Sequence, residues 1–326
     1  MRVTAEDTRD DIQAAIDALA DGGGGRLHIA AGTYDIDEAL VWRANVDLRG
    51  EGYATHLRAT DATNVVESHY DEELAEGELH DATIENMRLD GNRAAVPDGR
   101  DPGDDYPDTH STSGLWIPFA ERVTVRNLAV ESCHGHGIHP DAAIDCTVEN
   151  NVVRDCLTGF HIATRKGYEY GPVRTVARGN HAIDCRLNGL DFGSGGRECV
   201  MAHNTVTGCG HGGHGEGQWA GIRMRGTDHA AVGNVVVDSA RGIMLARQRS
   251  TAGGEVHWEP GARLLALGNR VRNAAVGIEV RDAEDCAVAA NAVAGADTAI
   301  EVGDGPGVAV SGNHAVGGGD GVVCAD

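Results

Sequence analysis

Asn127-Leu128-Ala129-Val130-Glu131-Ser132-Cys133-His134-Gly135-His136-Gly137-Ile138-His139 is followed one period later by Asn151-Val152-Val153-Arg154-Asp155-Cys156-Leu157-Thr158-Gly159-Phe160-His161. Both segments run in the same order: an Asn, a short apolar strand, a Cys, then a Gly, an apolar residue and a His. The pattern continues in both directions. Asn recurs at Asn86, Asn127, Asn151, Asn180, Asn204, Asn234, Asn269, Asn291 and Asn313. A small, an apolar and a variable residue recur at Gly137-Ile138-His139, Gly159-Phe160-His161, Gly189-Leu190-Asp191, Gly221-Ile222-Arg223, Gly242-Ile243-Met244, Gly277-Ile278-Glu279, Ala299-Ile300-Glu301 and Gly321-Val322-Val323. Where nothing is inserted the period is about 21 to 24 residues, the length of one solenoid coil of three short strands and three turns.

Coils of a solenoid add to one continuous core, so the 326 residues read as a single domain. The fold class expected is all-β, a right-handed parallel β-helix over 1–326. Residues 1–25 would form a capping helix and Gly-rich turn, 26–263 the functional coils with loop insertions, and 264–326 regular C-terminal coils. Thr8-Arg9-Asp10-Asp11 has the form of a capping box, and Ile12, Ala15, Ile16 and Leu19 make an apolar helix stripe. Asp21-Gly22-Gly23-Gly24-Gly25 ends that helix. It is a poor phosphate loop, because no Lys-Ser/Thr follows and a strand comes next. No such helix is evident at the C-terminus, where homo-oligomer contact through the last coil is one way to cover the open edge.

The net charge is −23, from 50 acidic and 27 basic residues, and the only Lys is Lys166. Such a surface suits a salt-adapted protein and disfavours nucleic acid as a partner, since neutralising phosphates needs a basic face. No apolar run approaches the roughly 20 residues of a membrane span, and the N-terminus has no signal-peptide core. The chain is therefore expected to be cytoplasmic, or secreted after loss of a leader, with no membrane contact. Of eight cysteines, Cys133, Cys156, Cys185 and Cys209 each follow a repeat Asn by five or six residues, and Ser239, Ala274, Ala296 and Gly318 stand at the matching place later. A slot that accepts Cys, Ser, Ala or Gly is a small inward one, so these read as stacked free thiols in the core.

Insertions mark where function was added, because an idle coil needs only short turns. They fall at 92–115, 165–175, 209–219 and 246–262, flanking the Gly-Ile-x strands, and should wall a groove. Alternation along each strand sends the apolar residue inward and the variable one outward. The outward row reads His139, His161, Asp191, Arg223 and Met244, with Asp141 and Arg225 two residues further on. Adjacent coils lie about 4.8 Å apart, so neighbours in this row can act on one sugar ring. Lys166 stands at the mouth of that groove, where a compact ammonium suits proton transfer or carboxylate binding. Trp116, Trp219 and Trp258 adjoin the insertions and could stack on sugars. Arg165, Tyr168 and Arg247, on or beside the insertions, join Arg225 as substrate contacts. Ordinary polar residues on a solvated sheet face are the alternative reading of the row.

Ile12-Gln13-Ala14-Ala15-Ile16, Ala31-Gly32-Thr33-Tyr34 and Leu48-Arg49-Gly50-Glu51-Gly52 resemble the opening of pectate-lyase-like β-helix enzymes. Leu89-Asp90-Gly91-Asn92-Arg93, an insertion, and then His136-Gly137-Ile138-His139-Pro140-Asp141 are similar to the catalytic module of mannuronan C5-epimerases. The first likeness covers most of the chain as a fold; the second is carried by residues 80–165. The epimerase motif is an aromatic residue, then Gly-aromatic-Asp-Pro-His. Here acid and imidazole are exchanged, and His136 stands where the family has its aromatic. Arg100 lies close to the family's basic residue in its own insertion. The resemblance implies a lyase or C5-epimerase acting on an anionic, uronic-acid-containing polysaccharide or oligosaccharide.

Both reactions begin with removal of the C5 proton beside a carboxylate. Arg223, Arg225, Arg165 or a Ca²⁺ ion would neutralise that carboxylate, and no other cofactor is implied. His139 or His161 would take the proton, oriented by Asp141 or Asp191. Two other readings stay open. A glycoside hydrolase or fructan-cleaving enzyme would pair Asp141 with Asp191, or use Glu216. A tailspike-like glycan-binding solenoid would need no chemistry at all.

Overall fold

The computed structural model describes the chain except for residues 72, 73, 75, 96–111, 165–169, 213–218, 253–254 and 325–326. Short strands with one buried residue between two partly exposed ones, such as Thr147–Glu149 and Val152–Arg154, stack in parallel coil upon coil. They form three columns. One runs from Gly25–Ile29 through Thr147–Glu149 to Ala309–Ser311, and the second from Gly32–Ile36 through Val152–Arg154 to His314–Val316. The third runs from Leu40–Val41 through Ile138–His139 and Ile222–Arg225 to Asp320–Cys324. One continuous apolar core lies between the columns and extends from Val3 to Val302. The expected β-helix is therefore present, and its third column carries the Gly-Ile-x triplets.

The sharp corner between the first two columns explains the recurring Asn. Asn151, Asn180, Asn204, Asn234, Asn269 and Asn291 are buried, and each side-chain amide bridges to the next coil. Asn204 Oδ1 accepts from the backbone N–H and Nδ2 of Asn180, while its own Nδ2 donates to Ala177 O and Asn234 Oδ1. The ladder thus satisfies backbone groups that the corner takes out of the sheet. Asn86 and Asn127 do not belong to it, contrary to the sequence pattern. They hold the left-handed conformation (φ 59° and 54°) one residue earlier, where later coils place Asn150, Gly179 or His203. Leu128 occupies the ladder position of that coil, and its N–H donates to Asn151 Oδ1 at 2.9 Å. That one-residue phase difference is why Cys133 lies six residues after Asn127 while later cysteines lie five after theirs.

All described cysteines are free and buried. Cys133, Cys156, Cys185 and Cys209 stack as expected, with the Cys185 N–H donating to Cys209 Sγ. Cys146, Cys199 and Cys286 form part of a second stack, at the start of the first column. There Thr175 and His229 take the same place, linked through Thr175 N–H to Cys199 Sγ and Cys199 N–H to His229 Nδ1. In the third column, a Cβ on Gly137 would fall 2.2 Å from Val153 Cγ1 and 2.8 Å from Gly159 O, so this position is kept small by packing.

The helix Arg9–Asp21 begins in the expected capping box, Thr8 and Asp11 each accepting from the other's backbone N–H. Its buried Ile12, Ala15 and Ile16 close the first coil. At the opposite end, Val316, Val322 and Val323 are exposed on the last coil. No helix among the described residues is long and apolar enough to cross a membrane.

Candidate active site

Strand register lines up the expected row. Trp116 pairs with His139, Ile138 with Phe160 one residue earlier, His161 with Asp191, Asp191 with Arg223 and Arg223 with Met244. Exposure corrects the expectation that this row faces solvent. His139, Asp141 and Asp191 are 0% exposed, Arg223 1%, His161 7% and Arg225 8%. The side chains do point out of the apolar core, but they close on one another instead of standing in water.

His139 Nε2 lies 2.7 Å from Asp141 Oδ1, and Trp116 Nε1 donates to Asp141 Oδ2 at 3.2 Å. One coil on, His161 Nδ1 lies 3.3 Å from Asp191 Oδ2. Arg223 grips Asp191 at two points, Nε to Oδ1 at 2.9 Å and Nη2 to Oδ2 at 2.7 Å, and Arg225 Nη2 approaches Oδ2 at 3.5 Å. Burial alone would push the Asp191 carboxyl up, but Arg223 and Arg225 beside it hold it well below the ordinary carboxylate range. His136 packs over both imidazoles, stacked on His161 at 4.1 Å between ring centres and edge-on to His139 at 4.5 Å.

The sequence-predicted residues His136, His139, Asp141, His161, Asp191, Arg223 and Arg225 thus form one contiguous cluster, and the Arg223 guanidinium lies 5.0 Å over the centre of the Trp219 ring. Arg247 and Trp258 form a unit of their own, with the guanidinium 4.2 Å over the indole and Arg249 a further cation on the same ring at 4.6 Å. Trp258 and Arg249 stand on the hairpin Gln248–Ala252 and Glu255–Glu259, which Arg247 immediately precedes and which the Arg249 N–H ties to Ser194 Oγ, in the turn after the Asp191 strand. Arg100, Arg165, Lys166, Tyr168 and Glu216 lie outside the described residues.

Two features escaped the sequence reading. Tyr70, Phe119 and Tyr170 meet near Trp116, with centroids 5.4 Å (Tyr70–Trp116), 6.2 Å (Tyr70–Phe119) and 6.0 Å (Phe119–Tyr170) apart. They lie outside the repeat motif and a hundred residues apart, so no local pattern links them. Further along the same face, Arg241 of the functional coils and Glu279, Arg281, Asp282, Glu301 and Asp304 of the coils expected to be regular border a cavity of about 310 Å³. Burial raises the Glu279 carboxyl against the opposing pull of Arg241 and Arg281. The row repeats Glu at 279 and 301, a signal that was present in the triplets.

As for Ca²⁺, the cluster's donors are mainly imidazole nitrogens, and its carboxylates already face Trp116, histidines and arginines. A cation that takes six to eight oxygens fits such a set poorly.

Residues 64–218 match the family model described as right handed beta helix region. Mannuronan C5-epimerase AlgE1 of Azotobacter vinelandii is 32% identical over 174 residues, 48% of this chain and 12% of that protein, so the chain spans a small part of the curated relative's length. Among solved structures, the A-module of the Azotobacter vinelandii mannuronan C-5 epimerase AlgE4 superposes with a TM-score of 0.62 at 18% identity, covering 99% of this chain and 97% of the module. An alginate lyase from Paenibacillus sp. str. FPU-7 does so with a TM-score of 0.64 at 14% identity, covering 98% and 97%. The chain is a right-handed parallel β-helix, similar over about half its length to the mannuronan C5-epimerases.

Proposed function

We propose that the chain is a polysaccharide-active enzyme, a lyase or C5-epimerase that removes the C5 proton of a uronic acid residue in an anionic glycan. The observation that carries this reading is the pair of carboxylate-backed imidazoles, His139 on Asp141 and His161 on Asp191. A carboxylate behind the ring selects a tautomer and stabilises the imidazolium formed when the other nitrogen takes a proton. Arg223 is committed at two points to Asp191, and Arg225 brings a second guanidinium to the same place, suited to neutralise the substrate carboxylate whose charge otherwise makes the C5 carbanion inaccessible. Relatives of this chain are named mannuronan C5-epimerase and alginate lyase, the two outcomes open to a sugar that has lost its C5 proton. Return of the proton to the opposite face would give the epimer; expulsion of the C4 substituent would give the unsaturated sugar.

The two-carboxylate hydrolase reading loses ground on the same geometry. Its general acid must keep a proton near neutrality. Asp191 is held ionised by two arginines, and Asp141 is engaged by His139 and Trp116. The deciding experiment is incubation with a panel of uronans and neutral glycans, including fructans, in high salt with and without Ca²⁺. Absorbance of unsaturated uronate would establish a lyase, and inverted C5 signals in proton NMR without cleavage would establish an epimerase. Cleavage of a neutral glycan would reject the reading, and no change on any substrate would favour a binding solenoid.

A further inference from the structure

We propose that His136, His139 and His161 together bind one divalent transition-metal ion, with zinc the best match, and that the loaded site is a resting form of the enzyme. The inference rests on the proton-transfer reading only for its second half. Each of the three residues offers one ring nitrogen, these nitrogens lie within 4.8 Å of one another, and all three residues are buried. The ring centres are 4.1, 4.5 and 4.7 Å apart. Neutral imidazoles are the characteristic ligands of zinc, copper and nickel, and three of them with an open fourth position make a recurrent zinc arrangement.

The second observation is the layer behind the rings. A metal-binding His usually gives its other nitrogen to a carboxylate, which sets the tautomer and orients the ring. Here His139 has Asp141 at 2.7 Å and His161 has Asp191 at 3.3 Å. Those carboxylates are themselves held, Asp141 by Trp116 Nε1 and Asp191 by the fork of Arg223. Chain geometry supplies the rest: His136 and His139 bracket Gly137-Ile138 on one coil, and the pairing of Ile138 with Phe160 puts His161 directly above His139.

Tetrahedral zinc, with Zn–N near 2.0–2.1 Å, needs nitrogens about 3.4 Å apart. The nitrogens, now within 4.8 Å, would have to close by about 1.4 Å at most. His136 would also have to turn out of its stack on His161, where the ring planes differ by 12°. Both changes are side-chain rotations. A lone pair given to the ion cannot accept the C5 proton, so metal and proton transfer compete for the same atoms.

The test uses the full chain, stripped with a chelator and titrated with Zn²⁺ in competition with a chromogenic chelator, and in parallel with Co²⁺ followed by its visible ligand-field band. One equivalent is expected, weakened at least about 100-fold in His161→Asn and in His136→Asn, and about 10- to 100-fold in Asp141→Asn through loss of ring orientation. Two ligand variants are needed in case one fails to fold, which circular dichroism will show. Stoichiometric binding unchanged in folded His136→Asn and His161→Asn, or no binding above that of the variants, overturns the site; the chain has 16 His in all, so weak binding elsewhere sets the background. Loss of turnover on zinc loading, restored by chelator, supports the resting form. Equal turnover of loaded and stripped protein overturns it, and with it the imidazole base of the proposed function, while the metal site itself would stand on the binding data.

Discussion

Asp191 and Arg223 face each other on adjacent coils and are joined at two points, 2.9 and 2.7 Å, with 0% and 2% of their side chains exposed. Such a pair adds little net stability, because desolvation offsets its attraction, yet it is costly to halve, because the partner left behind is a buried charge. Asp191→Asn should therefore destabilise the fold by about 3–5 kcal/mol, read as a lower urea midpoint at unchanged slope. The wild-type pair should withstand acid well. The folded carboxyl stays ionised below the range in which the unfolded one takes its proton, so its contribution is present above about pH 4 and disappears only as pH falls through the lower folded value.

His229 behaves in the opposite sense. Burial pushes its imidazole from 6.5 down to about 4, while Nδ1 accepts the Cys199 N–H. Between those values the unfolded chain binds a proton that the folded chain refuses, so stability must fall as pH drops from about 6.5 to 4. The loss should approach roughly 3 kcal/mol. His229→Leu, which copies Leu264 at the same place in the next coil, should abolish this slope. Parallel slopes for variant and wild type in urea melts across that window would contradict the assignment.

Within the asparagine ladder, position along the solenoid should decide the cost of a substitution. Asn204→Ala removes four side-chain hydrogen bonds and orphans buried Asn180 groups, for about 2–4 kcal/mol. Asn313→Ala, in the last coil and less enclosed, should cost under about 1 kcal/mol. Thermal or urea midpoints of the two variants give the comparison.

His139→Gln and His161→Gln keep most of the side-chain volume in sites that are buried, where Ala would leave cavities. If one of these imidazoles is the base, that variant should lose about 10²-fold or more in turnover with a near-native melting curve. Wild-type rates in both would remove the histidines from the mechanism.

A chain of net charge −23 acting on an anionic polymer repels its substrate at long range. Raising salt to 1 M shortens the screening length to about 3 Å, so kcat/KM on a uronan should rise with salt. An optimum in dilute buffer would show that local cationic groups already outweigh the net charge.

The repeat of Asn, small slot and Gly-apolar-x determines the architecture by itself, because a coil's side-chain alternation and close stacking impose those residue types locally. It also named the row His139, His161, Asp191 and Arg223, since register in a solenoid follows from counting within the repeat. Three things depended on tertiary structure. The offset of Asn86 and Asn127 from the ladder turns on a left-handed residue that one-dimensional spacing does not distinguish. Burial of the row is set by what closes over it, as is the meeting of His136 with His161 and of Trp116 with Asp141. The aromatic group of Tyr70, Phe119 and Tyr170 arises from segments far apart in sequence, where contact depends on how non-repetitive chain drapes over the coils and no periodicity records it.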